Sequence, residues 1–461
     1  MFDGRESSVS QSEQVTDPAF WADLKIRGII FQQTAENLGA WLAKELAEGR
    51  PVLAYCGFDP TASSLHIGGL LPILGLRRLK NAGIKPVALV GGATGMIGDP
   101  SGKSQERVLQ TQEDVERNVA GIRGQLERLL DGDAGKDFLL VNNGDWFKSI
   151  TFIDFLRDVG KHFSVNVMMA KESVRARLED RESGISYTEF SYMLLQAYDY
   201  LHLFEKLGCR LQCGGSDQWG NITAGIDLIH HKHHDAVVHG CTFPLLTNSA
   251  GQKFGKSERG AIWIDPKRTH PYFLYKYFFD TQDADVVRFL NLFTFLSREE
   301  IDALALELQN APQERRGQKA LAREVTGIVH GANIAEACEG LESSMHRDDV
   351  EAFERHADAL GLLDPANIPA DVDPTALPVL HRSAKDLDGA GMSAIDLAVE
   401  TGLYQSKSEV RREIQSGAGL RIAGNAITDA TTMITRDILG GRRVIQIRRG
   451  KKNKRMLVFS D

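Results

Sequence analysis

A chain of 461 residues exceeds the size at which one hydrophobic core stops growing, so two or three domains are expected. With 42% hydrophobic and 25% charged residues, and no apolar run near the roughly 18 residues that a bilayer span needs, a membrane-embedded chain is not expected. The net charge of −8 argues against nucleic-acid binding on average, yet the last 22 residues carry eight Lys or Arg against one Asp, so the charge is segregated.

The opening "MFDGRESSVSQSEQVTDP" has neither the basic start and apolar core of a secretory signal nor the Arg-rich amphipathic pattern of a transit sequence, which makes the cytoplasm the expected compartment. Five scattered cysteines (Cys56, Cys209, Cys213, Cys241 and Cys338) predict free thiols, not a disulfide framework, and Cys209 and Cys213 lack the spacing of a zinc site. The runs "VLAYCGF" and "KPVALVGGATG" end in glycine and alternate with helical patterns, which predicts a parallel sheet. Between them, "DPTASSLHIGGLLP" places His66 in the first turn of a helix continued by Ile67, Leu70, Leu71, Leu74 and Leu76. Free backbone N–H groups and the helix dipole attract anions there, and glycines let a large flat ligand approach, as a nucleotide would. A capped helix with a packing histidine is the competing reading.

"GMIGDPSGKS" looks like a phosphate-binding loop but fails the count: position 97 is Ile97, and Gly98 comes one residue late. "SYMLLQAYDY" sets Tyr192, Gln196 and Asp199 on one helix face, a tyrosine, an amide and an acid that suit a polar pocket better than a core. "LQCGGSDQWGN" reads as a buried strand and turn, at the carboxyl end of the sheet where such folds bind ligands. "HHKHH", His230 to His234, has no acidic or cysteine partner at ligand spacing and is read as a solvated run, so no metal site is expected. "KFGKS", residues 253 to 257, offers two ammonium groups and a hydroxyl in a glycine-containing loop, which suits closing over a triphosphate.

Residues 270 to 345 turn to helical periodicity without strand signals. "GLLDPANIPADVDPTALPVL" holds four of the fourteen prolines and reads as a linker. Beyond it, "SKSEVRREIQSGAGLRIAGNAITD" reads as a basic helix, a turn and a short strand pair, and "RRVIQIRRGKKNKRMLVF" as two strands about a Gly-Lys turn.

H-I-G after the first strand and K-x-x-K-S after the last resemble the two signatures of class I aminoacyl-tRNA synthetases. The segments "YCGFDPTASSLHIG", "ALVGGATGMIGDPSGKS", "LRDVGKHFSVNVMMAKE", "TEFSYMLLQAYDY" and "LQCGGSDQWGNITAG" narrow the resemblance to tyrosyl-tRNA synthetases of the bacterial or organellar type. The resemblance implies an α/β fold: a Rossmann-like catalytic domain over 1–246, a signature loop and helical domain over 247–350, a linker over 351–389, and an RNA-binding module over 390–461 similar to ribosomal small-subunit protein four. It implies ATP, tyrosine and tRNA(Tyr) as substrates, Mg²⁺ carried on the ATP phosphates, and a homodimer paired near "HFSVNVMMAKE" and "ISYTEF".

Carried over residue by residue, Tyr55 and Asp199 meet the substrate phenol, and Asp99, Tyr192 and Gln196 its ammonium, with Gln212 and Gln218 facing the amino acid. A pocket that buries polar groups rejects phenylalanine because they stay unpaired, a rule for which this family is itself the usual illustration. Cys56, Gly57, Asp59, His66, Gly68, Gly69, Gly215 and Asp217 line the nucleotide. His66, Lys103, Lys253, Lys256 and Ser257 stabilise charge on the phosphates during transfer. Ser406, Lys407, Arg411, Arg412, Arg448, Arg449, Lys451 and Lys452 face RNA. The departure is Gly69, where the family's first signature usually has a second histidine. Two rivals stand: a tryptophan enzyme of the same class, disfavoured by Tyr55 and Asp199, and a catalytically weakened synthetase-like RNA-binding protein, motivated by Gly69.

Overall fold

The computed structural model describes residues 17–101, 110–179, 184–249, 251, 254–257, 260–368, 372, 377–416, 419–450 and 453–460. They divide into two compact units, one ending at Gly255 and one starting at Lys256.

The first unit is built on strands β1 (Gln32–Gln33), β2 (Leu53–Phe58), β3 (Lys85–Val90), β4 (Leu139–Asn142), β5 (Leu211–Gly215) and β6 (His239–Phe243). Their order across the sheet is β1-β6-β5-β2-β3-β4; β1 is an antiparallel edge and the others run parallel, as the alternation of strand and helix predicts. From β2 the chain winds outward through β3 to β4, then returns to place β5 on the other side of β2. The carboxyl ends of β2 and β5 thus flank a reversal of winding, where open α/β sheets hold their ligands.

The helix Leu70–Asn81 buries Leu70, Leu71, Leu74 and Leu76 against this sheet, in keeping with their spacing. His66 lies one turn further out than expected: it caps a 3-10 turn, Ile67–Gly69, that precedes the α-helix. The helix Tyr187–Leu207 starts at Ser186, whose side chain accepts from the Glu189 amide, and stops at Gly208 with φ 68°. Its inner face packs Met193, Ala197, Tyr200 and Leu201 into a cluster with Tyr55, Val87, Leu89, Ile222 and Ile229.

In the second unit β7 (Lys256–Ser257) and β8 (Gly260–Ala261) form a short antiparallel pair. Five helices follow: Pro271–Phe279, Asp283–Phe293, Arg298–Asn310, Arg316–His330 and Ala332–Arg347. Ser297 and Glu300 close a capping box at the third, and Pro271 opens the first. Among the described residues, the stretch read as a linker holds the helix Val350–Ala359, β9 (Val379–Ser383) and the 3-10 turns Pro365–Asn367 and Ala384–Leu387. Leu377 and Val379 in this stretch are buried.

The C-terminal module adds β10 (Met392–Ser393), β11 (Leu420–Ile422), β12 (Asn425–Ala426), β13 (Met433–Ile434), β14 (Val444–Arg449) and β15 (Asn453–Ser460). A five-stranded sheet has the order β12-β11-β14-β15-β9, with β14 and β15 paired antiparallel from Val444 opposite Val458 to Arg449 opposite Asn453; Lys451 of the expected Gly-Lys turn lies outside the described residues. The helices Ala394–Glu400 and Lys407–Gln415 contribute Leu397, Val410 and Ile414 to a core shared with Leu420, Ile447 and Leu457 from the sheet. No helix among the described residues is long and apolar enough to cross a membrane.

Candidate active site

At the reversal of winding the ends of β2 and β5 part over a cavity of about 240 Å³. Tyr55, Cys56 and Gly57 of β2 and Asp59 just after it line the cavity, with Gly215 at the end of β5, Gln218 in the turn that follows, and Tyr192, Gln196 and Asp199 from the Tyr187–Leu207 helix. His66, Gly69 and Asp99 complete its wall. Residues separated by up to 163 positions in the sequence (Tyr55 to Gln218) thus face one space.

One end of the cavity is built around Asp199. Its carboxyl is buried, accepting from Asn143 Nδ2 at 3.0 Å and from Trp146 Nε1 at 2.9 Å. Burial pushes its pKa up to about 8, although both donors pull the other way. The Tyr55 hydroxyl, equally buried, makes no hydrogen bond to any described residue, and burial raises its pKa well above the usual phenol. A second buried acceptor, Gln212 Oε1, is also unpaired, but Gln212 does not line the cavity, so the orphan at its wall is Tyr55. Buried polar atoms are rarely left so, and orphans beside a cavity mark where a ligand supplies the partner.

A chain of bonds leaves Asp199 along the wall. Asn143 Nδ2 also donates to Thr94 Oγ1 at 3.0 Å, Thr94 Oγ1 donates to Asp59 Oδ1 at 3.0 Å, and Tyr192 Oη donates to Asp59 Oδ2 at 2.9 Å. Across the cavity Asp99 Oδ2 accepts from Gln218 Nε2 at 2.6 Å, and Asn221 Nδ2 donates to Gln196 Oε1 at 3.0 Å and Gln218 Oε1 at 3.2 Å. Sequence reasoning missed Thr94, Asn143, Trp146 and Asn221. The available signal was "VNNGDWF", which puts amides and an indole at the carboxyl end of β4, next to the ligand edge of the sheet.

His66 folds back on its own turn, its Nδ1 accepting from the Gly68 amide at 3.0 Å. A Cβ on Gly68 would come within 2.6 Å of the imidazole, so this cap requires glycine. Gly255, at φ 85°, rests on the same turn: a Cβ there would lie 3.1 Å from the Gly68 nitrogen. Gly255 of the second signature thus lies against the turn of the first. At Gly69, in contrast, a Cβ meets nothing within 4 Å and the backbone is ordinary, with φ −85°.

The family description "tRNA synthetases class I (W and Y)" matches residues 47–344, and "Tyrosine--tRNA ligase SYY-like C-terminal domain" matches residues 383–457. The chain is 48% identical over 440 residues to a tyrosine–tRNA ligase of Geobacillus kaustophilus, spanning 95% of this chain and 99% of that one. It is 47% identical over 443 residues to the Opitutus terrae tyrosine–tRNA ligase, spanning 93% and 97%. The C-terminally truncated mitochondrial tyrosyl-tRNA synthetase of Aspergillus nidulans superposes with a TM-score of 0.62 at 32% identity, over 71% of this chain and 94% of that one. The chain belongs to the tyrosine–tRNA ligase family.

Of the residues that the tyrosine–tRNA ligase resemblance singles out, Lys103, Lys253, Lys451 and Lys452 lie outside the described residues, while Lys256 and Ser257 form β7. In the C-terminal module Arg411 and Arg412 are exposed on the Lys407–Gln415 helix. Ser406 caps that helix, accepting from the Glu409 amide at 3.2 Å, and Lys407 pairs with Asp396 at 2.8 Å. Arg449 is held internally: it pairs with Glu409 at 2.8 Å and Glu413 at 3.1 Å and lies over the Tyr404 ring at 4.5 Å. Arg448 pairs with Asp348 at 2.9 Å.

Proposed function

We propose that this chain is a tyrosine–tRNA ligase that activates L-tyrosine with ATP and transfers it to tRNA(Tyr). The observation that carries the reading is the unpaired Tyr55 hydroxyl, buried in the same cavity as the Asp199 carboxyl. A phenol placed there finds a partner in each, whereas a phenyl ring leaves them unpaired. In this reading Asp99, Tyr192 and Gln196 face the ammonium group of tyrosine, with Gln212 and Gln218 alongside. Cys56, Gly57, Asp59, Gly68, Gly69, Gly215 and Asp217 face the nucleotide.

The tyrosine carboxylate attacks the α-phosphorus of ATP, forming tyrosyl-adenylate as pyrophosphate departs. A ribose hydroxyl of the terminal tRNA adenosine then attacks the adenylate carbonyl, and AMP leaves. No side chain need act as nucleophile. His66, Lys103, Lys253, Lys256 and Ser257 act by placing positive charge and donors where phosphate charge develops. Mg²⁺ belongs to this reading as a companion of ATP that neutralises phosphate charge. The carboxylates around the cavity are already engaged, Asp59 with Thr94 and Tyr192 and Asp99 with Ser101 and Gln218, which fits a cation held by nucleotide oxygens.

Pyrophosphate exchange into ATP, run with each of the twenty amino acids, tests the assignment: exchange with tyrosine alone is expected, and exchange with tryptophan or with none refutes it. The gap at Gly69 adds a sharper expectation. A side chain can start at position 69 without strain, since a Cβ there meets nothing within 4 Å and φ is ordinary. The ATP KM of a Gly69→His enzyme is expected to fall about two- to tenfold, the equivalent of one net hydrogen bond of about 0.5–1.5 kcal/mol. An unchanged KM would show that the gap does not face the nucleotide.

The same reading includes a homodimer and a cytoplasmic location. The dimer is supported by exposed apolar side chains, Phe152, Ile153, Val165, Val167 and Met169, on two nearby short helices. A solution mass of a single chain would refute the dimer, and fractionation of cells with membranes or organelles the compartment.

A further inference from the structure

Across the C-terminal sheet, Arg421 on β11 stands opposite Arg448 on β14, and Arg448 stands opposite Lys454 on β15. Directly paired residues share a face of the sheet, and neighbouring strands lie about 4.8 Å apart, so three cations form a transverse row. Like charges opposite one another are destabilising, and the row needs an anion. Asp348 supplies it. It ends the helix Ala332–Arg347 in the left-handed conformation, φ 58°, and its carboxylate reaches the ribbon. Oδ1 accepts from Gln446 Nε2 at 3.0 Å and from Lys454 Nζ at 2.6 Å, and Oδ2 accepts from Arg448 Nη1 at 2.9 Å. The hydrogen bond from Lys454 holds this carboxyl below its usual range, so it stays ionised at neutral pH.

The row is not neutralised by that one carboxylate. Beside it opens a cleft of about 470 Å³ whose wall includes Arg421, Arg442 and Arg448 together with Asp348. Arg421 and Arg442 are exposed. The Arg448 Nε atom is buried and makes no hydrogen bond to a described residue. Asp348 itself remains 39% exposed, so its pairs are open to exchange with an anion from solution.

We infer that Asp348 is an internal competitor for RNA: it occupies Arg448 and Lys454 in the free protein, and a tRNA backbone phosphate entering the Arg421–Arg442 cleft takes them over. The inference rests on the tRNA-charging reading. It gives the RNA-binding module a resting state in which its ribbon is tied to the helical segment before it, and makes tRNA the agent that releases it. Arg449, held by Glu409 and Glu413, takes no part.

Binding of in vitro transcribed tRNA(Tyr) to the full chain, measured between 50 and 200 mM salt, tests this. Asn is well suited to the left-handed position, so Asp348→Asn leaves the helix end intact. Asp348→Asn is expected to bind tRNA about three- to tenfold tighter at low salt, with a log–log salt slope steeper by about one, because the entering phosphate no longer replaces a protein carboxylate. Tyrosine-dependent pyrophosphate exchange is expected to be unchanged. Arg421→Gln should weaken binding at least threefold and flatten the slope; this variant decides the matter if Asp348→Asn does not fold. Wild-type binding that Asp348→Asn leaves equal or weakens, or that Arg421→Gln leaves unaltered, overturns the inference alone. Exchange with tyrosine but no tRNA binding by any form overturns the charging reading as well.

Discussion

An Asp199→Asn enzyme is expected to lose most of its activity with tyrosine, and the loss should be far larger than that of Tyr55→Phe. In the native site both carboxyl oxygens accept, one from Asn143 and one from Trp146, while the group also lines the cavity proposed to hold tyrosine. An amide presents its NH₂ to one of those donors, so one buried N–H loses its partner at about 1–3 kcal/mol, and the substrate phenol loses an acceptor besides, about 0.5–1.5 kcal/mol. Together these predict a fall in kcat/KM for tyrosine of roughly ten- to a thousandfold. Tyr55→Phe deletes only the second kind of bond, at about two- to tenfold. Pyrophosphate exchange at limiting tyrosine measures both, and equal effects would show that Asp199 does not face the phenol.

Asp199 has a thermodynamic signature too. Its carboxyl has a pKa of about 8 in the folded protein, above the ordinary carboxylic value, so between about pH 4 and 8 the native state binds the proton that the unfolded chain releases. Stability of the ligand-free protein should therefore fall as pH rises through that window, by up to about 1.4 kcal/mol per unit from this group, and be complete only below it. Asp199→Asn removes that component, which denaturant titrations at pH 5 and 8 would reveal.

Glu189→Ala is expected to destabilise the protein by about 3–5 kcal/mol, the largest effect on stability foreseen for a single surface-distant substitution. Glu189 is capped into the first turn of the Tyr187–Leu207 helix and pairs with Arg177 at 2.9 Å, both side chains being only 3% exposed. Removing the carboxylate strands a guanidinium in the interior, with the Gly184 carbonyl as its remaining acceptor at 3.0 Å. Replacing both, Arg177→Met with Glu189→Leu, should recover much of the loss, because a buried ion pair adds little over apolar residues of like volume. A Glu189→Ala protein within 1 kcal/mol of wild type in urea would show that water reaches Arg177.

Local chemistry made much of this chain legible. The strand at β2, the helix face of Tyr192, Gln196 and Asp199, and the strand pair β14–β15 each follow from residues adjacent in sequence or at fixed spacing. What stayed hidden depends on pairing between distant segments. Thr94 and Asn143 meet because β3 and β4 run side by side and end at the same edge, and nothing in either stretch alone announces the bond. The same holds for the basic tail. Counting charges treats Arg448 and Arg449 alike, but alternation on the strand sends one to Asp348 and the other to Glu409 and Glu413.

All five cysteines are reduced and buried, and three of them sit side by side on neighbouring strands, Cys56 against Cys213 and Cys213 against Cys241. Burial pushes the Cys56 and Cys209 thiols up to about 12, so an alkylating reagent finds little thiolate while the chain is folded. Four of the five belong to the first unit, and Cys338 alone to the second. The native chain thereby carries its own reporters of opening. Under mild denaturant, a mass gain of one adduct marks the second unit coming apart first, and a gain of four marks the first, with no label engineered into either.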